Sequence, residues 1–154
     1  MGFITLGGVI KDYFGKSSKE TVTSQAPELV EQPLPSTGDT DNPNFYGDNP
    51  LTIKTKYGKN YWIKISNATD DRAMASYFIR GGETLYVKVP KGSYTIKYAS
   101  GDKWYGTVDL FGEKTQYAKA DEVFTFRNNN GYTIELIYQA NGNLHTKGLK
   151  ANQF

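Results

Sequence analysis

Cysteine is absent from this 154-residue chain, and histidine occurs once, at His145. The first absence excludes a disulfide framework, thiol catalysis and a cysteine-ligated zinc site. The second excludes the usual multi-histidine metal centres and leaves a histidine relay one candidate. An imidazole satisfied by the neighbouring Asn141-Gly142-Asn143 turn is the simpler reading of it. Long apolar runs are missing too. The longest, Phe3–Ile10 (FITLGGVI), is far short of the roughly 20 residues that a membrane span needs, so no transmembrane segment is expected. No Lys or Arg precedes that run, no small-residue cleavage site follows it, and Leu6 stands where a myristoylation motif wants Ser or Thr. A cytoplasmic location is the default expectation. Phosphate-loop, dinucleotide and G-x-S-x-G motifs are also lacking, since Gly7-Gly8 and Gly81-Gly82 have none of the required partners. No cofactor is expected.

What the chain does contain is aromatic: 12 Tyr, 8 Phe and 2 Trp, beside 16 Gly. Aromatic and β-branched side chains pack well on a pleated surface, so this composition favours strands over helices. The net charge of +2 hides an asymmetry. Residues 1–48 hold three basic and seven acidic side chains, a net of −4, whereas residues 49–154 carry +6.

Three zones follow from the pattern. In residues 1–16, Leu6, Val9, Ile10, Tyr13 and Phe14 recur at the i, i+3, i+4, i+7, i+8 spacing of an amphipathic helix. Such a short helix, weakened by Gly7 and Gly8, is marginal unless docked, so this stretch reads either as a docking peptide or as a frayed terminus. Residues 17–49 are rich in Ser, Thr, Pro, Asp and Asn. They read as a disordered acidic linker, too poor in core-forming residues to offset the entropy of ordering. The embedded PELVEQPLP reads as a spacer rather than as a peptide ligand.

From Pro50 onward the character changes. LTIKTK (51–56), YWIKIS (61–66), MASYFIR (74–80), ETLYVKV (83–89), SYTIKYA (93–99), EVFTFR (122–127), YTIELIYQ (132–139) and a short LHT (144–146) read as strands, several of them alternating, at the spacing of an all-β fold. Asn128-Asn129-Asn130-Gly131 predicts a hairpin turn, because Asn and Gly tolerate positive φ. The expectation is an antiparallel β-sandwich or small barrel of seven to eight strands, each sheet with one wet face.

GGETLYVKVPKGSYTIKYASGDKWYG, followed by LFGEKTQYAKADEVFTF and GYTIELIYQANGNLHT, resembles a small C-terminal β-rich module of uncharacterised bacterial proteins. The likeness covers about residues 50–154 and is most specific over 101–126, as a GDxWYG…LFG…TxYxKAD pattern. It implies no established activity.

Function is sought first in that same stretch, 101–121. Trp104, Tyr105, Phe111 and Tyr117 are interleaved there with Asp102 and Asp121. Long aromatic loops form recognition surfaces, since planar rings give large contact area at low entropic cost. The competing reading is a plug, with Trp104 and Phe111 closing one end of a sandwich and Tyr105 and Tyr117 left outside. The expected activity is non-enzymatic binding, with another protein as partner. Carbohydrate or small-ligand binding by the same rings is the alternative. A carboxylate hydrolase built on Asp102, Asp109, Asp121 and Glu122 requires them to converge, and a calcium site lacks the ordered D-x-D-x-D-G loop. Lys54, Lys56 and Lys88 give a basic tint to strand faces, but interspersed Glu makes solubility the simpler reading, and nucleic acid is not expected.

Overall fold

The computed structural model describes residues 28–136 and 146–154. Leu6, Val9, Ile10, Tyr13, Phe14 and His145, for which the sequence raises expectations, lie outside them. The chain divides at Val30, and the unit Glu31–Phe154 carries every element below.

Nine strands occur among the described residues: β1 (Asn49–Thr55), β2 (Asn60–Asn67), β3 (Ala73–Ile79), β4 (Thr84–Val89), β5 (Gly92–Gly101), β6 (Gln116–Ala120), β7 (Phe124–Phe126), β8 (Tyr132–Leu136) and β9 (Thr146–Leu149). They form two sheets. The larger has the order β9-β6-β5-β2-β3, with β7 also paired to β5; the smaller has the order β4-β1-β8. The fold is all-β and sandwich-like, as the alternation predicts. Among the described residues, no helix is long and apolar enough to cross a membrane.

The main core lies between the sheets and follows period-2 alternation. Leu51 and Ile53 of β1, Leu85 and Val89 of β4, and Ile134 and Leu136 of β8 face Tyr61, Ile63, Ile65, Tyr94, Ile96, Phe124 and Phe126 of the larger sheet, all of them buried.

Two features of the strand pairing depart from the sequence reading. The Asn128–Gly131 turn exists, with Asn128 and Asn129 at φ of 53° and 64°, yet it makes no hairpin. β7 stays in the larger sheet, and β8 crosses to pair with β1 in parallel, Ile53 opposite Ile134. A Tyr132 hydroxyl bonded to the main chain of Thr125 holds the crossing. Second, β6 and β7 share one edge of β5, with four residues (120–123) bulging opposite only two (95–96).

The linker expectation fails for residues 31–49: Asn49 opens β1, and residues 31–48 form a strap whose first part runs along the larger sheet. Gly38 donates to the Phe78 carbonyl at 2.8 Å, and Phe78 donates back to Asp39 at 2.9 Å. Thr40 bridges Tyr77, and Arg80 clamps the carbonyls of Pro35 and Leu34 at 2.7 and 2.9 Å. The strap therefore covers the open edge of β3, the kind of exposed strand edge that folded proteins tend to protect. Composition hid this because the strap is held by its backbone and by polar caps. Phe45 is its buried apolar anchor, set edge-on against Tyr94 at 5.4 Å.

Candidate functional site

The segment 101–115 is an ordered excursion that satisfies its own backbone. Tyr105 donates to Leu110 at 2.7 Å, Leu110 to Gly106 at 2.8 Å and Gly112 to Asp109 at 2.9 Å. The Thr115 hydroxyl closes the turn by accepting from the Phe111 N–H and donating to the Gly112 carbonyl. Trp104, Leu110 and Phe111 are buried at 3%, 6% and 4% exposure. Their partners are Trp62, Phe78 and Ala99. Trp104 meets the Phe78 ring at 5.0 Å, Phe111 at 5.3 Å and Trp62 at 5.6 Å.

This is a second core on the outer face of the larger sheet. Trp104 and Phe111 tuck inward, but they cover part of a face and do not plug an end, so the area over Trp62, Phe78 and Ala99 is not wet. Trp62, placed by alternation opposite Ile63, lies beneath them. As a contact surface the loop keeps little, since Tyr105 is half-buried; Tyr117 lies beyond it in β6, half-buried, and packs against the Phe154 ring at 5.3 Å.

The acidic residues of the stretch do not gather. Asp102 follows the end of β5, where its carboxylate meets Lys59 at 3.5 Å. Asp121 and Glu122 sit in the bulge after β6, opposite the middle of β5. Along the strand that separation is roughly 20 Å at about 3.3 Å per residue, well beyond the ~5–10 Å of a glycosidase pair. Asp109 is exposed in the loop. Among the described residues, no group of three or more His, Cys, Asp or Glu side chains is arranged to hold a metal ion.

Among the described residues the exposed rings are Tyr46, Tyr57 and Tyr86, and two of them share a groove. Tyr46 and Tyr86 are 68% and 75% exposed and border a groove of about 570 Å³ between the strap and the β1–β4 pair. Its walls include Pro43, Phe45, Leu51 and Val87, with Asn42 and Thr52 as polar groups. The backbone fixes Tyr46 on both sides. Phe45 is buried before it, and the Gly47 N–H donates to Lys88 at 3.3 Å after it. Gly47 is required there, because a Cβ would lie 2.4 Å from the Pro90 Cα. Tyr86 is held by strand pairing opposite Thr52, and the Asn42 amide is anchored on the Met74 carbonyl at 2.8 Å.

No protein-family model, curated protein or solved structure matches the chain. Function therefore has to rest on this geometry.

The sequence reading missed Tyr46, which it assigned to the linker. The signal was Phe45-Tyr46-Gly47 itself, an aromatic pair with a glycine inside a stretch otherwise of Pro, Asn and Asp. Tyr86 alternates with Leu85 and Val87 in ETLYVKV and so faces outward, but alternation does not show what stands beside it.

Proposed function

We propose that the protein is a non-enzymatic binding module that takes a segment of another protein in the groove between Tyr46 and Tyr86. The observation that carries this reading is two exposed tyrosines, fixed by the backbone on either side of a groove with apolar walls. Rigid amphipathic rings around an apolar depression are typical of interaction hot spots, where Tyr supplies contact area for few lost rotamers. The aromatic loop then acts as scaffold, and residues 1–16 act as a second, tethered docking peptide.

Selection of phage-displayed peptides tests the groove. Peptides enriched on the wild-type protein should lose at least tenfold in affinity against Tyr46→Ala/Tyr86→Ala. Enrichment that ignores both substitutions would sink the proposal.

A second reading draws on Asn42 and Thr52. An amide and a hydroxyl beside exposed rings are also what a sugar needs for hydrogen bonding and stacking. Glycan-array binding abolished by Tyr86→Ala, with no peptide enriched, would favour it.

A further inference from the structure

Four lysines stand in one row across the outer face of the larger sheet. Lys64 of β2 is paired directly with Lys97 of β5, Lys97 with Lys119 of β6, and Lys119 with Lys147 of β9. Directly paired residues project from the same face, so the row crosses four strands and spans about 14 Å. Like charges set directly opposite one another destabilise a sheet. Any neutral polar residue in these places would remove that penalty, so the row calls for an explanation.

The two halves of the row differ. Lys97 is buried and donates to Asp71 at 3.1 Å and to the main-chain oxygen of Gln153 at 3.1 Å. Lys64 donates to the main-chain oxygen of Phe154 at 2.6 Å, with its ammonium 4.2 Å from the ring centre. Beside this half, Ser66 and Thr95 are also paired across β2 and β5. Both are buried, and neither hydroxyl has a partner among the described residues. In the other half, Lys119 is half-buried and Lys147 exposed, and neither forms an ion pair among the described residues. Asp41 and Asp71 act on the Lys64 end, and Asp121 follows β6 two residues after Lys119.

Aromatic surface adjoins the row. Tyr117, two residues before Lys119 on the same face, lies opposite Ala99 and Leu149 and packs on Phe154. A basic track with rings beside it is the arrangement that holds single-stranded nucleic acid, phosphates on the cations and bases on the rings. Each nucleotide brings a phosphate and a flat π-face together, which matches cations beside rings more closely than an acidic peptide's carboxylates do, and a lipid surface has no use for a single row.

We propose that this row binds single-stranded nucleic acid laid across the strands, with phosphates at Lys119 and Lys147 and a base against the Tyr117–Phe154 pair. The site lies apart from the Tyr46–Tyr86 groove and does not depend on the function assigned there.

Fluorescence anisotropy of a labelled oligothymidine of about 20 nucleotides, titrated with the full chain between about 50 and 200 mM salt, tests it. Binding should weaken linearly in log–log coordinates as salt rises. Lys119→Gln/Lys147→Gln should cost at least tenfold at the lower salt and reduce the slope by about 1.4, at ~0.7 per lost phosphate contact. Lys119→Arg/Lys147→Arg should retain binding. Lys54→Gln/Lys56→Gln removes the same charge outside the larger sheet and should change affinity less than twofold. The proposal is overturned by absence of binding at the lower salt, by equal losses in the two Gln pairs, or by heparin binding as tightly as the oligonucleotide.

Discussion

The main-chain N–H of Gln32 donates to the carbonyl of Trp104 at 2.8 Å, and the Gln32 side-chain amide reaches the carbonyl of Tyr105 at 3.2 Å. The strap and the aromatic loop are thus joined at Trp104, the most buried of the three side chains that the loop gives to the second core. The same strap continues along β3 and seats Phe45 in the main core. One segment therefore fastens the loop, closes a sheet edge and displays Tyr46 beside the groove.

Trp104→Ala should be among the most damaging substitutions in the chain. It empties a site bounded by three rings, and large-to-small changes of a buried aromatic typically cost about 3–5 kcal/mol. Tyr105→Ala, at a half-buried position with its hydrogen bonds made by the backbone, should cost no more than about 1 kcal/mol. Urea denaturation of the two variants checks the order. Equal losses would mean that the loop is a contact surface and not a core.

Arg80→Ala removes the clamp on Pro35 and Leu34 and leaves the strap's remaining main-chain bonds to β3 in place. Local opening should follow without global unfolding. Hydrogen exchange at the Gly38, Asp41 and Phe78 amides should accelerate at least tenfold, while amides of the β1–β4 pair keep their rates. Uniform acceleration throughout the domain would show that strap and sheets open as one unit.

The strand alternation was legible because Ile63 and Ile65, or Tyr94 and Ile96, must share a face if one side of a sheet is buried. What stayed hidden is non-local. QYAKA (116–120) has too little β-branched surface to announce a strand, and β6 exists because β5 offers it an edge. The parallel pairing of β8 with β1 joins segments far apart in sequence, which no local pattern encodes. The lysine row is invisible for the same reason: each lysine alone is an ordinary polar position, and register alone lines them up. Trp104 and Phe111 were legible as inward-facing, but not their destination. That depended on Trp62 and Phe78 facing away from the main core.

Gly101 separates space from flexibility. Its φ lies outside the left-handed region, yet a Cβ would come within 2.3 Å of the Phe111 Cβ. Gly101→Ala must displace Phe111 or β5, and overpacking of this kind costs about 1–3 kcal/mol. Gly148→Ala, in β9 with nothing within 4 Å of the new methyl, should be neutral or stabilise by a few tenths to about 1 kcal/mol. Thermal midpoints of the pair decide the matter. A tolerated Gly101→Ala would mean that the loop floats above the sheet.

Alkaline stability follows from three tyrosines opposed by one lysine. Burial holds Tyr77, Tyr94 and Tyr98 above the ordinary tyrosine range, with the nearby Asp41 carboxylate adding to the effect at Tyr77. Above about pH 10 the unfolded chain releases these protons while the folded chain keeps them, so their contribution is full below that pH and declines as pH rises through the folded values. Lys64 has the opposite sign. Burial, and then Lys97, lower its pKa, so between its folded value and the ordinary lysine value the unfolded chain holds the extra proton and stability rises with pH. With three groups against one, the denaturation midpoint should fall between about pH 9.5 and 11. Tyr77→Phe/Tyr94→Phe/Tyr98→Phe should flatten the fall, and Lys64→Met should steepen it. A midpoint that rises over that range in the wild-type protein would mean that the lysine, and not the tyrosines, governs the alkaline limb.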